Sequence, residues 1–183
     1  PETPEPMDHI FADFERIVPG AMTHWQHPGF FAYFPANAAP ASIVAEHLVN
    51  AMAAQAMLWQ TSPAATEIEQ VMIDWLRQAL ALPDGFSGTL HDSATTATLC
   101  AVLTMRERAL DWAGVQQGLS GQPPLRIYAS AETHSSVDKA ARLSGIGQAN
   151  LVKVPTGPDH AMDPAALDRL IQRPHQLPRG LQP

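Results

Sequence analysis

The sequence predicts an α/β protein, a partial parallel sheet flanked by helices and preceded by a helical and aromatic N-terminal arm. Three observations carry this reading. Near the C-terminus a strand-like run, "LRIYAS" at 125–130, leads into helical spacing over 135–145, stopped by Gly145. A second strand-like run, "NLVKVP" at 150–155, then leads into a helix opened by Asp163-Pro164. Strand, helix, strand, helix is the grammar of a parallel sheet with helical crossovers. In the N-terminal part, by contrast, prolines bound an aromatic stretch, and proline and the residue before it resist helix.

Taken in order, "DHIFADFERIV" at 8–18 is a short amphipathic helix ended by Pro19-Gly20. The stretch "THWQHPGFFAYFPANAAPAS" is an aromatic loop, suited to a pocket wall or an interface. Residues 43–58 form an apolar helix rich in alanine and methionine. Ser62-Pro63 then starts the clearest helix of the chain, with Ile68, Val71, Met72, Trp75, Leu76 and Leu80 at helical spacing until "LPDG". Its polar face (Glu69, Asp74, Arg77, Gln78) reads as solvated surface. A polar turn over 91–96 opens a long helix carrying Leu99, Val102, Leu103, Leu110 and Trp112, and a loop over 114–124 precedes the first strand. In the helix over 135–145, Val137, Ala140, Ala141 and Ser144 follow helical spacing until Gly145. Leu167, Leu170 and Ile171 share one face of the last helix.

Composition narrows the function. The chain has 183 residues, 45% of them apolar and 16% charged, with a net charge of −7. That sign argues against nucleic acid or an anionic membrane surface as the main partner. No apolar run reaches the roughly 20 residues of a membrane span. One cysteine, Cys100, excludes an internal disulfide framework, and the expected compartment is cytoplasmic. The 17 prolines are roughly twice the usual share and crowd both ends.

Two stretches could carry chemistry. "HDSATTAT" leads into a helix with no bulky residue between Ser93 and Thr98. Free N–H groups and the helix dipole make such a start an anion site, while capping by Ser93 or Thr95 is the plainer alternative. His134 lies just past the end of the first strand, where ligands bind in parallel sheets. It could stack on a flat ring or move a proton, or it could be a structural histidine. Ser135 and Ser136 are better explained by capping than by nucleophilic chemistry, there being no G-x-S-x-G elbow. A zinc reading of His24 and His27 lacks further ligands, so no metal is expected. No nucleotide P-loop motif occurs.

The stretches "PGAMTHWQHPGFFAYFPAN", "WQTSPAATEIEQVMIDWL", "LPDGFSGTLHDSATTATLCAVLTMRERA" and "YASAETHSSVDKAARLSG", in that order, resemble the group II pyridoxal-phosphate-dependent amino-acid decarboxylases, the aromatic-L-amino-acid decarboxylase family. The resemblance implies a fold-type I architecture and pyridoxal 5'-phosphate as cofactor. It implies that His134 stacks on the cofactor ring and shares in the proton steps, and that Ala94 and Thr95 meet the phosphate. Trp25, Tyr33, Phe34, Pro35 and Ala36 would line the substrate pocket, and Met57 would lie where a partner subunit reaches into it. Four positions depart from the animal enzymes: Ala36 replaces a threonine, Thr95-Thr96 replaces Ser-Glu, and Met57 replaces an aromatic residue.

The family also uses a Schiff-base lysine in an "H-K-W"-like motif and an aspartate at the pyridine nitrogen. This chain contains only Lys139 and Lys153, neither in such a motif. The resemblance therefore implies the N-terminal half of a subunit: an arm and interface helix over 1–60, and over 61–183 the N-terminal part of the cofactor domain. The implied function is decarboxylation of an L-amino acid, aromatic by preference, by a homodimer, with a second polypeptide as another way to complete the site. The alternatives are a glutamate- or histidine-type decarboxylase and a non-catalytic dimerising remnant.

Overall fold

The structure is a computed structural model and describes residues 2–34 and 38–173. The chain divides into two compact units, Pro1–Thr66 and Glu67–Pro183.

In the first unit, α1 (Met7–Ile17) forms where the sequence predicts, with Asp13 and Arg16 paired at 2.6 Å. Its apolar residues Ile10, Phe11, Phe14 and Ile17 are all exposed. Pro19 cannot continue the ladder, and a 3-10 turn at Pro19–Ala21 replaces it. α2 spans Pro40–Ala51, with proline in its first turn, and stops well short of the predicted 58. The correction has a local cause. Ala53 adopts a left-handed φ of 48°, and the Thr61 hydroxyl donates to the Gln55 and Leu58 carbonyls at 2.6 and 3.0 Å, folding 52–61 into turns. Ile43, Val44, Leu48 and Val49 of α2 are exposed.

α3 (Pro63–Ala79) starts at Ser62-Pro63 as read from the sequence. Its polar face is more than solvated surface. Arg77 closes the C-terminal end, donating to Asp74 at 2.9 Å, Asp84 at 2.7 Å and the Leu82 carbonyl at 3.3 Å. α4 spans Ala94–Ala109 and excludes Trp112, which the sequence reading had placed on it. Asp111 and Trp112 take left-handed φ values of 49° and 65°, turning the chain into α5 (Ala113–Gln117), a helical turn inside the expected loop.

β1 (Ile127–Ser130) and β2 (Leu151–Val154) pair in parallel, Ile127 opposite Leu151 and Ser130 opposite Val154, as the strand grammar predicts. α6 (Ser136–Leu143) forms the crossover, and α7 (Pro164–Gln172) follows with its first amides capped by the Asp163 carboxylate. The core gathers Val102 and Leu110 near α4, Ala129 and Val154 from the strands, Ala140 and Ala141 from α6, and Ala166 from α7. Small side chains on α6 let it pack closely on α4.

One buried polar cluster was not anticipated from the sequence. Glu107 is only 4% exposed, and its carboxylate accepts from Arg106 Nε at 2.8 Å and from the Val115 N–H at 2.8 Å. Arg106 also donates to the Ser144 carbonyl at 2.6 Å, satisfying the C-terminal end of α6. Gly114 makes room for this, since a Cβ there would sit 2.5 Å from a Glu107 oxygen.

Candidate active site

The start of α4 resolves one alternative. Ser93 is the N-cap: its backbone is extended, its hydroxyl oxygen accepts from the Thr96 N–H at 3.2 Å, and its carbonyl accepts from Ala97 at 3.0 Å. Capping therefore leaves room for an anion: Ser93 takes one orphan amide, and those of Ala94 and Thr95 have no acceptor among the described residues. Ala94 is exposed and carries only a methyl group, so an anion can approach the backbone. The Thr98 hydroxyl folds back onto the Ala94 carbonyl at 2.7 Å and stiffens the turn.

His134 lies in the connection between β1 and α6, past the carboxyl end of the strand, and is exposed. Ser130 organises that connection, its hydroxyl accepting from the Glu132 N–H at 3.1 Å and its carbonyl from Thr133 at 3.0 Å. The expectation that Ser135 and Ser136 serve as caps needs correction. Ser135 makes no side-chain cap bond. The cap is His134 itself, whose Nδ1 accepts from the Ser136 N–H at 3.2 Å. A ring that accepts at Nδ1 carries its proton on Nε2 when neutral. Ser136 is buried, and its hydroxyl lies 3.3 Å from that of Thr98. The first turns of α4 and α6 are therefore in contact, which puts the free amides and the histidine connection at the same end of the packed pair.

A further residue of this region is Glu69 on α3, which the sequence reading left on a solvated face. One of its oxygens accepts from the Thr89 hydroxyl at 2.8 Å and from the Leu90 N–H at 2.7 Å. These bonds, that from Leu90 foremost, and the charge of His91 hold its carboxyl below the usual glutamate range. No sequence periodicity signals a contact across 20 residues. Lys153 pairs with Asp138 at 2.9 Å, which holds that carboxyl low in turn, and Lys139 is exposed on α6.

In the first unit, Trp25 stacks on Phe30 and on Tyr33, with ring centroids 5.2 and 5.7 Å apart. Phe30 was not among the predicted pocket residues. Tyr33 holds a left-handed φ of 60°, and Phe34 and Met57 are exposed, Met57 in the turns after α2. Pro35 and Ala36 lie outside the described residues. His24 bonds the Pro19 carbonyl through Nε2 at 2.8 Å, and His27 Nδ1 accepts from the Gly29 N–H at 3.0 Å. Both rings thus serve local loop structure.

A parallel strand pair with a crossover helix, an amide-lined helix start and a histidine connection past the strand's carboxyl end define an α/β protein of the class that binds ligands at that end of its sheet. The chain belongs to the pyridoxal-dependent decarboxylase family, whose conserved domain matches residues 1–181. It is 35% identical over 181 residues to an aromatic-L-amino-acid decarboxylase of Catharanthus roseus, covering 94% of this chain and 35% of that protein. It is 38% identical over 169 residues to tryptophan decarboxylase 1 of Oryza sativa subsp. japonica, covering 85% of this chain and 32% of that protein. The crystal structure of Oryza sativa TDC with PLP and tryptamine superposes with a TM-score of 0.85 at 36% identity, covering 94% of this chain and 37% of that one. The chain thus spans about a third of the length of these relatives, as their N-terminal portion. The fold-type I expectation and the family resemblance both hold.

Proposed function

We propose that this chain is the N-terminal part of a pyridoxal-phosphate-dependent decarboxylase of aromatic L-amino acids, comprising an interface arm over 1–60 and part of the cofactor domain over 61–183. The observation that carries the reading is the pair of free amides at Ala94 and Thr95, in a helix turn that touches the turn capped by His134. The residues fit the cofactor: unsatisfied donors for a phosphate, a methyl side chain that does not crowd it, and a flat imidazole nearby. The aromatic preference rests on the names of the relatives, tryptophan decarboxylase among them. The exposed apolar residues of α1 and α2 support a role for the arm as a homodimer contact.

Pyridoxal phosphate, when bound, supplies the electron sink for the pair released as the α-carboxylate leaves as carbon dioxide. The Ala94 and Thr95 amides and the positive end of α4 hold the phosphate, with the Thr95 hydroxyl as a further donor. His134 gives its ring a fixed orientation by accepting at Nδ1, which leaves Nε2 to hold or move a proton at the reacting centre. By the family resemblance, Trp25, Tyr33, Phe34, Pro35 and Ala36 are assigned to the substrate pocket, and Met57 to the place where a partner subunit reaches into it.

The test is carbon dioxide release from L-tryptophan and L-tyrosine with added cofactor. The 183 residues alone are expected to show no turnover above that of free cofactor, because Lys153 is committed to Asp138 and Lys139 lies outside any cofactor-lysine motif. Co-expression with the C-terminal two thirds of a related tryptophan decarboxylase is expected to restore turnover. Absence of any turnover from that assembled enzyme, with both parts folded and associated, would contradict the reading.

A further inference from the structure

We infer that Glu69 is a positioning residue for the anion site, its carboxylate fixing the segment that delivers the chain into α4. This rests on the phosphate-cradle reading above and deepens it. The Thr89 hydroxyl and the Leu90 N–H converge on a single Glu69 oxygen at 2.8 and 2.7 Å, the lengths of strong hydrogen bonds to a charged acceptor. Leu90 stands three residues before the N-cap Ser93, and the intervening His91 and Asp92 belong to no regular element. Residues 86–90 make no regular element either, and among the described residues the two bonds to Glu69 are the hydrogen bonds that tie this approach to a helix. Without them, the amides of Ala94 and Thr95 would be presented by a turn whose N-terminal side is loose. The titratable side chain that acts on Glu69 is His91, whose positive charge favours the carboxylate.

Glu69 touches no reacting group in this account. Its effect runs through the backbone, so it should alter phosphate affinity and the order of the segment together. The carboxyl is held below the usual glutamate range. The charge that strengthens its bonds is therefore fully present above that range and is lost as pH falls through its depressed value, while an acceptor oxygen remains.

The experiment compares the 183-residue chain with Glu69→Gln, Glu69→Ala and, as a control on the same helix, Asp74→Ala. The Leu90 amide is followed by NMR, and affinity is measured for pyridoxine 5'-phosphate, which has no aldehyde to react with lysines. In the parent chain the Leu90 amide proton should titrate with a midpoint below the usual glutamate range. Glu69→Gln keeps an oxygen acceptor and should preserve affinity within about threefold while abolishing that titration. Glu69→Ala should lose Leu90 protection and bind the phosphate roughly tenfold more weakly. Asp74→Ala should change neither. Leu90 protection lost in Glu69→Ala with affinity unchanged would overturn the positioning role and leave the cradle standing. A parent chain with no saturable binding would overturn the cradle itself and the positioning role with it.

Discussion

In the assembled enzyme, replacing His134 with alanine is expected to lower kcat by about 10²–10⁴, the usual worth of a positioned proton-transfer group. Alanine removes two functions at once, because His134 Nδ1 also caps the first amide of α6. His134→Asn separates them. A short amide side chain can accept from a backbone N–H two residues on, so asparagine should keep the connection between β1 and α6 folded, yet it cannot exchange a proton. Thermal stability near that of the parent, with kcat as low as in the alanine variant, is the expected outcome for His134→Asn. Activity within tenfold of the parent in His134→Asn would place the proton step elsewhere.

The largest expected loss of stability follows from Glu107→Ala, at about 3–5 kcal/mol, the cost of removing one partner from a buried ion pair. The carboxylate is the acceptor for Arg106 and for the Val115 N–H, and both would lose it inside the fold. Arg106 would be less firmly held against the Ser144 carbonyl, so the far end of α6 should loosen too. Since a whole domain is stable by only about 5–15 kcal/mol, this is a large fraction of the total. Denaturant unfolding of the variant measures it. Glu107→Gln, which keeps an acceptor for Val115, should cost less, and a change below about 1 kcal/mol in Glu107→Ala would show that the pair contributes little.

Much of the second unit could be read from the sequence, because its elements announce themselves locally. The parallel strands, the crossover helix with its Ala140–Ala141 face, and the proline-started helices α3 and α7 all lie where periodicity and caps place them. What could not be read depends on contacts between distant residues or on turns without a sequence signature. The early end of α2 turns on a left-handed alanine, in a stretch whose helix propensity argues the other way. Glu69 reads as a solvated helix-face acid and Glu107 carries no signal of its own, since nothing in the spacing of either says that a backbone N–H from elsewhere will meet it. His134 was legible as a site residue, but its use of Nδ1 as a helix cap was not, because Ser135 and Ser136 are the residues that ordinarily do that work.

The central claim is that the start of α4 holds the cofactor phosphate while His134 meets the ring. It is tested most directly by following the ¹⁵N-labelled chain by NMR during titration with pyridoxine 5'-phosphate, with pyridoxine, and with inorganic phosphate. Both phosphates should shift the Ala94 and Thr95 amides in a saturable way, and pyridoxine should not. The His134 ring nitrogens and the Ser136 amide should respond to pyridoxine 5'-phosphate far more than to inorganic phosphate. Equal responses to pyridoxine and its phosphate, or saturable shifts that bypass Ala94, Thr95 and His134, would contradict the account.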